Sequence, residues 1–289
     1  MKPAPFEYAR AGSLGEAVDL LGRLGPEAKL LAGGQSLIPM LKLRLARPTA
    51  LVDLNRVREL AYVRAAGGGL AFGALARLSD LESAAVRAAC PPLAAAAPHI
   101  GHTAIRHRGT VCGSIAHADP AAELPVLALA LEAEMRATGP KGARAIAAKD
   151  FFVTYLTTAL EAGEVLTEVR FPTLKPVAGW GFTELARRLG DYALVSVAAV
   201  LEPATGGRIA TARIALGSVA ERAVRAEAAE AALTGRPGGA AVFAEAAAAA
   251  AAALDPPSDV HGSGTYRKRL AQVLVERCLA EAWGRARRS

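Results

Sequence analysis

Gly33-Gly34-Gln35-Ser36 ends an apolar run, and its residue types suit the holding of an anion. Glycine lets the backbone turn inward and lets a ligand come close with no Cβ in the way. Successive inward N–H groups form an anion-binding nest, to which Gln35 and Ser36 add side-chain donors. An ordinary tight turn is the local alternative. The stretch is neither GxGxxG nor GxxxxGK[ST], so the mechanics of those motifs do not apply. A second small-residue stretch, Arg108-Gly109-Thr110-Val111-Cys112-Gly113-Ser114, offers a partner turn that can face the first across a diphosphate, or a second unrelated turn.

Four of the five histidines, His99, His102, His107 and His117, fall in one short region. Their spacing contains no HxH or HExxH, and Arg106 and Arg108 flank His107, so ligand contacts or satisfied loop histidines fit better than a metal site. Asp119 and Glu123 lie before and in the first turn of a helix entered through Pro120. They either complement the helix dipole or accept hydrogen bonds from ligand hydroxyls. In "RRLGDYALVS", Tyr192 is either core or a cover for a planar ring. No Ser/His/Asp arrangement, catalytic cysteine or metal box emerges. The residues suit a chain that holds a cofactor, which then carries the chemistry.

The elements that must position these residues read as follows. Ser13 and Glu16 form a capping-box pattern ahead of an amphipathic helix that ends near Gly22 and Gly25. Residues 28–32, 50–55 and 69–73 read as buried strands, 39–46 as a short helix, about 79–89 as a helix, and 91–99 as a small helical stretch. A buried helix spans 121–131. A strand follows within 143–172, then Asp150-Phe151-Phe152, then "EVLTEVRFP". Pro172 and Pro176 mark a boundary. Residues 192–203 and 209–219 read as antiparallel strands joined at Gly206-Gly207, followed by helices at 223–233, 240–253 and 266–286. Strand–helix alternation followed by strands and then helices gives an α+β protein in two domains, 1–175 and 176–289.

The 289 residues are 52% hydrophobic and 21% charged, enough for a sizeable core. The net charge is +7, but aromatics are only 5% and the one dense basic cluster is the tail, Arg285, Arg287 and Arg288, so a nucleic-acid partner is not expected. The alanine stretch near 240–254 is interrupted by Glu245, and no membrane span is expected. Cys90, Cys112 and Cys278 are far apart, with no CxxC, which gives neither a disulfide framework nor a cluster site. With no signal peptide after Met1-Lys2, the expected location is cytoplasmic.

Taken in order, "LLAGGQSLIPMLKLRLARPTALVDL", "IRHRGTVCGSIAHADPAAELP", "KDFFVTYLTTALEAGEVLTEVRFP" and "RRLGDYALVSVAAV" resemble the FAD-binding medium subunit of the molybdenum hydroxylases, the family of aerobic carbon monoxide dehydrogenase and the xanthine dehydrogenases. The resemblance covers nearly the whole chain. It implies a two-part α/β FAD-binding domain of the PCMH type, covered by a C-terminal α+β domain with an antiparallel sheet and helices. It also implies electron transfer from the [2Fe–2S] clusters of a small subunit, through FAD, to an external acceptor. A large molybdopterin-binding subunit oxidises the substrate, and the heterotrimer dimerises. By position it assigns to FAD the residues Leu31, Ala32, Gly33, Gly34, Gln35, Ser36 and Leu37, then Thr110, Val111, Cys112, Gly113 and Ser114. His102, Asp119, Glu123, Leu166 and Tyr192 complete the set, Tyr192 lying against the isoalloxazine. The family often has Gly-Gly-Asn where this chain has Cys112-Gly113-Ser114; Gly113 is expected to keep the turn, while Cys112 adds a Cβ at a place of close approach. On this reading Gly33→Val loses flavin and leaves the fold largely intact. The rival readings are a self-contained flavin oxidase or reductase of the same cofactor-binding type, and a binding protein that kept the fold and lost FAD.

Overall fold

Ser13 opens the first helix with a change of partner from the capping-box expectation. In the computed structural model, which describes residues 2–286, Ser13 Oγ accepts from the Glu16 N–H at 3.2 Å. The Glu16 carboxylate reaches one residue further back, to the Gly12 N–H at 2.7 Å. Arg287 and Arg288 of the basic tail lie outside the described residues.

The first unit contains β1 (Glu7–Arg10), α1 (Leu14–Leu24), β2 (Lys29–Leu31), α2 (Leu37–Lys42) and β3 (Ala50–Asp53). The three strands form a parallel sheet in the order β1-β3-β2, with the fully buried "ALVD" in the middle. Strand β1, mostly exposed and carrying Glu7 and Arg10, has no apolar run to announce it.

The second unit contains β4 (Val63–Ala66), β5 (Gly69–Gly73), α3 (Ala84–Ala89), α4 (Pro91–Ala96), α5 (Thr103–Arg106), α6 (Val111–His117), α7 (Glu123–Ala130), β6 (Glu134–Gly139), β7 (Gly142–Ala147), α8 (Ala148–Phe151), β8 (Phe152–Thr154), β9 (Thr157–Thr158) and β10 (Val165–Pro172). Its main sheet is antiparallel, in the order β4-β5-β10-β6-β7. The expected helix at 79–89 is two pieces, a 3-10 turn at Leu78–Glu82 and then α3. Ser83 ends the first and caps the second, its Oγ accepting from the Val86 N–H at 3.3 Å. The helix expected from Ala121 begins at Glu123, so Pro120 stands in the preceding turn rather than at its entry. Every residue of α7 is buried, which is why its sequence shows no polar face.

The last third contains β11 (Gly179–Leu185), β12 (Val195–Pro203), β13 (Ile209–Gly217), β14 (Val224–Arg225), α9 (Glu227–Leu233), α10 (Ala240–Ala252) and α11 (Gly264–Ala286). The sheet order is β11-β12-β13-β14, antiparallel throughout. Strands β12 and β13 meet at the expected glycine turn, where Gly206 and Gly207 take φ of 71° and 69°. Helix α11 lies on β11 and β12, and it comes close because β11 offers glycine. A Cβ on Gly179 would stand 1.9 Å from the Ala282 carbonyl oxygen, and one on Gly181 would stand 2.6 Å from that of Cys278. Buried Arg267 fixes the start of α11, donating to Leu194 O and to Asp259 Oδ2, each at 2.7 Å. The mixed α+β architecture agrees with the sequence.

Candidate functional site

The two glycine stretches meet, and the first contact between them is backbone on backbone. A Cβ on Gly33 would stand 2.4 Å from the Arg108 carbonyl oxygen and 2.6 Å from Gly109 Cα. Gly33 therefore admits the second stretch, whereas the sequence reading kept its space for a ligand. Gly34 takes φ 72°, the left-handed region that turns a chain back on itself. Gln35 Nε2 closes the turn by donating to Gly33 O at 3.1 Å. The N–H groups of Gly33, Gly34, Gln35 and Ser36 donate to no protein acceptor among the described residues. A row of unused N–H groups beside a residue of positive φ is the arrangement that binds anions. Leu37 then begins α2, and Ser36 makes no side-chain cap there, which leaves its hydroxyl without a helix partner.

The second stretch corrects the expectation of a turn at Cys112-Gly113-Ser114. The turn lies earlier, at Arg108-Gly109, where the Gly109 N–H donates to Ile105 O at 2.7 Å and Gly109 O accepts from Leu78 N at 3.0 Å. Thr110 is the N-cap of α6; its Oγ1 accepts from the Gly113 N–H at 3.0 Å. Gly113 is needed because a Cβ would stand 2.6 Å from that same oxygen. Val111 and Cys112 face the core, and the Cys112 thiol, 3% exposed, donates to Phe72 O at 3.4 Å. It does not line the cavity beside the Gly33 loop. Ser114 is half-buried on α6.

Between the stretches lies a cavity of about 480 Å³, within the range of small-molecule sites. Of the first-loop candidates, Leu31, Ala32, Gly33, Gly34 and Gln35 line it, and Ser36 and Leu37 do not. Lys42, Asp53, Asn55 and Arg108 line it too, and these the reading missed. The available signal was position: "ALVDLN" is a parallel strand, and ligands of α/β sheets bind beyond the carboxyl ends of such strands. Burial alone would raise the Asp53 carboxyl, but hydrogen bonds from the Tyr8 hydroxyl and from Asn55 outweigh it and hold the carboxyl below its ordinary value.

The other candidates lie outside this cavity. Asp119 Oδ1 accepts from the Ala121 N–H at 2.9 Å. The Tyr192 phenol is pushed up by desolvation first and by neighbouring Asp119 next, although the residue as a whole is 60% exposed. His102 caps α5 and touches the loop that carries Tyr192: a Cβ on Gly190 would stand 2.7 Å from Gly101 O and 3.1 Å from His102 Nδ1. Leu166 is 5% exposed in β10, packed in the core. Glu123 is buried, and its carboxyl is pushed up to about 8, by burial first and then by Glu184. Glu184 comes from β11 and meets His99 Nδ1 at 3.1 Å, while its Oε2 has no partner. That hydrogen bond raises the His99 pKa. This acid–histidine group joins β11 to the second unit. The sequence reading named Glu123 but not its partners, because they are 24 and 61 residues away in sequence.

The histidines do not converge. His99 pairs with Glu184, His117 Nε2 stands 4.0 Å from Asp119 Oδ2, and His102 and His107 flank α5. Among the described residues no group of three or more His, Cys, Asp or Glu is placed to hold a metal ion. No helix among them is long and apolar enough to cross a membrane. All three cysteines are free and buried, with every thiol pushed up by desolvation. A disulfide-exchange reagent is therefore expected to label none of them in the native chain and all 3 after denaturation. Rapid native-state labelling located at Cys112 by peptide mapping would overturn its assignment to the core.

Two α/β and antiparallel units with an anion-ready cleft between glycine loops, and an α+β unit packed against them, define a holder for a large phosphate-bearing cofactor. Residues 4–174 match the family described as "FAD binding domain in molybdopterin dehydrogenase", and residues 180–282 match "CO dehydrogenase flavoprotein C-terminal domain". The carbon monoxide dehydrogenase medium chain of Hydrogenophaga pseudoflava is 41% identical over 99% of both chains. The 6-hydroxypseudooxynicotine dehydrogenase complex subunit alpha of Paenarthrobacter nicotinovorans is 42% identical over 99% of this chain and 97% of its own. A solved structure of the H. pseudoflava carbon monoxide dehydrogenase superposes with a TM-score of 0.96, at 44% identity and 99% coverage of each chain. The chain belongs to the FAD-binding medium subunits of the molybdenum-containing dehydrogenases. It is an FAD-dependent oxidoreductase subunit, and the resemblance read from the sequence holds in family, fold and cofactor.

Proposed function

We propose that FAD is held with its pyrophosphate against the N–H groups of Gly33, Gly34, Gln35 and Ser36, and that the chain passes electrons from a partner's [2Fe–2S] clusters to an external acceptor. The single observation that supports this placement is the row of four unused N–H groups at Gly33–Ser36, three of whose residues, Gly33, Gly34 and Gln35, line the cavity. Glycine geometry and an anion nest suit a diphosphate; Lys42 and Arg108 add positive charge beside it. Leu31, Ala32 and Leu37 supply the flanking walls of this loop. Thr110, Val111, Cys112, Gly113 and Ser114 belong to the same binding region, with Val111 and Cys112 holding its shape from the core, where the Val111 N–H donates to Ala76 O at 3.0 Å. His102, Asp119, Glu123, Leu166 and Tyr192 complete it toward the flavin, with exposed Tyr192 free to lie against a ring. When bound, the flavin supplies the electron-accepting and electron-donating chemistry. The protein's residues bind it, orient it and exclude water from one side.

The domain boundary we assign is 175/176, within residues 173–178, which connect β10 to β11. The partners are a large molybdopterin-binding subunit and a small [2Fe–2S] subunit, in a heterotrimer that dimerises, in the cytoplasm. Three separate buried cysteines supply no four-thiolate set in this chain, which fits a division of labour in which the clusters belong elsewhere. Relatives named as medium chain or complex subunit support the same division.

The test is reconstitution followed by co-purification. The isolated chain mixed with FAD is expected to retain flavin absorbance after gel filtration and to turn over no organic substrate alone. The native complex is expected to carry both partner subunits. A chain that retains no flavin sinks the placement; steady turnover by the isolated chain would favour the self-contained flavoenzyme.

A further inference from the structure

We infer that Asn55, with Arg77, is a positioning residue that locks the two glycine loops to each other and so sets the width of the cofactor cleft. This rests on the reading that FAD lies between those loops. Asn55 follows β3, the central strand of the parallel sheet, and its amide is bonded on every side. Nδ2 donates to Ala32 O of the first loop at 2.9 Å and to Asp53 Oδ1 at 2.7 Å. Oδ1 accepts from an Arg77 NH2 group at 3.1 Å. The other arm of the Arg77 guanidinium donates to Arg108 O of the second loop at 2.5 Å.

Arg108 O is the same atom that a Cβ on Gly33 would strike. The bridge therefore spans the point where the loops touch. One end of it is anchored: Asp53 also accepts from the Tyr8 hydroxyl and from the Asn55 N–H, which ties the amide to β1 and β3. The other end is anchored as well, because Arg77 pairs with Thr110 in an isolated antiparallel bridge and its neighbour Leu78 donates to Gly109 O at 3.0 Å. The geometry suits guanidinium and amide and nothing simpler. The planar fork of arginine reaches two acceptors at once, and an amide both donates and accepts. Nothing in this chain of bonds needs a ligand, so the brace exists before FAD arrives and pre-organises the cleft.

The experiment uses the full chain and two variants, Asn55→Ala and Arg77→Gln, with their double mutant. Two quantities are read: FAD dissociation constant by quenching of flavin fluorescence, and amide hydrogen exchange of the flavin-free chain. Asn55→Ala is expected to weaken FAD about tenfold or more, given the three side-chain hydrogen bonds it loses. It is also expected to speed exchange in residues 31–36 and 107–111 together, with β12 unchanged. Arg77→Gln removes both guanidinium bonds, to Arg108 O and to Asn55 Oδ1, while Asn55 keeps its bonds to Ala32 O and Asp53, so it is expected to speed exchange in both segments, less so in 31–36. The double mutant is expected to be no worse than Asn55→Ala, since each removes the same bridge. Unchanged FAD affinity in Asn55→Ala, exchange that rises in one segment alone, or additive losses in the double mutant would each overturn the brace. If the unaltered chain binds no FAD, the cofactor placement fails, and the exchange data of the flavin-free proteins still decide whether the brace exists.

Discussion

Gly33→Val is expected to abolish FAD retention, weakening binding on the order of a hundredfold or more, and also to destabilise the chain by about 2–4 kcal/mol. The atoms that a side chain there would strike, Arg108 O at 2.4 Å and Gly109 Cα at 2.6 Å, are backbone and cannot rotate aside. The loops must separate, and the cleft between them widens. Gly34→Ala makes the informative control. Its Cβ would meet the Ile38 side chain at 3.0 Å, which can shift, and its positive φ of 72° costs about 1–2 kcal/mol for an L residue. The expected order of FAD loss is Gly33→Val well beyond Gly34→Ala, read as bound flavin per chain after gel filtration, with thermal unfolding in parallel. A Gly33→Val chain that keeps full flavin occupancy would show that the loops do not set the site. This expectation differs from the one drawn on sequence alone, under which the fold would be spared. The difference comes from a backbone contact between residues 75 positions apart.

Residue types carried much of the site and little of its scaffold. Gly33, Gly34, Thr110 and Gly113 stand out because glycine and a cap residue have few other uses at such places. Asn55 and Arg77 do not stand out: an exposed asparagine after a strand and an arginine before a helical turn are ordinary residues until a fold brings Ala32 O and Arg108 O within their reach. The fold shows the same division. The fully buried β3 and α7 are legible as apolar runs, whereas β1 and β11 are not. Strand β1 has exposed charged ends, and the glycines of β11 break its alternation so that the backbone of α11 can lie against it. Cys112 illustrates a limit of motif comparison. Its departure from the family pattern suggested an obstructed cleft, yet the first turn of α6 buries that side chain against Phe72, and it does not line the cavity.

Glu123→Gln is expected to change the pH dependence of stability more than any other substitution near the site. Glu123 is 5% exposed, and its carboxyl is held near 8 against an ordinary 4.5, by burial first and by Glu184 next, with Asp119 adding to the rise and His99 opposing it. A carboxyl whose folded pKa is raised binds its proton more tightly in the native state than in the unfolded one. Its contribution to stability is complete below about 4.5 and is lost as pH rises through about 8. Every tenfold gain in proton affinity on folding is worth about 1.4 kcal/mol, so the loss is on the order of 5 kcal/mol. His99, whose pKa is raised by Glu184, works in the same direction: its contribution is present below 6.5 and fades above its folded value. The flavin-free chain is therefore expected to be less stable at pH 8.5 than at pH 5, and Glu123→Gln is expected to remove most of that slope, leaving the part due to His99. Denaturant titrations across this range check it, and parallel curves for the two proteins would place Glu123 in a solvated setting. The substitution also separates two roles. At neutral pH the buried carboxyl is protonated and offers an O–H, which glutamine replaces with an N–H donor of similar shape. If Glu123 contacts FAD as a donor, Glu123→Gln keeps flavin and Glu123→Ala loses it; if it acts as an ionised acceptor, both lose it.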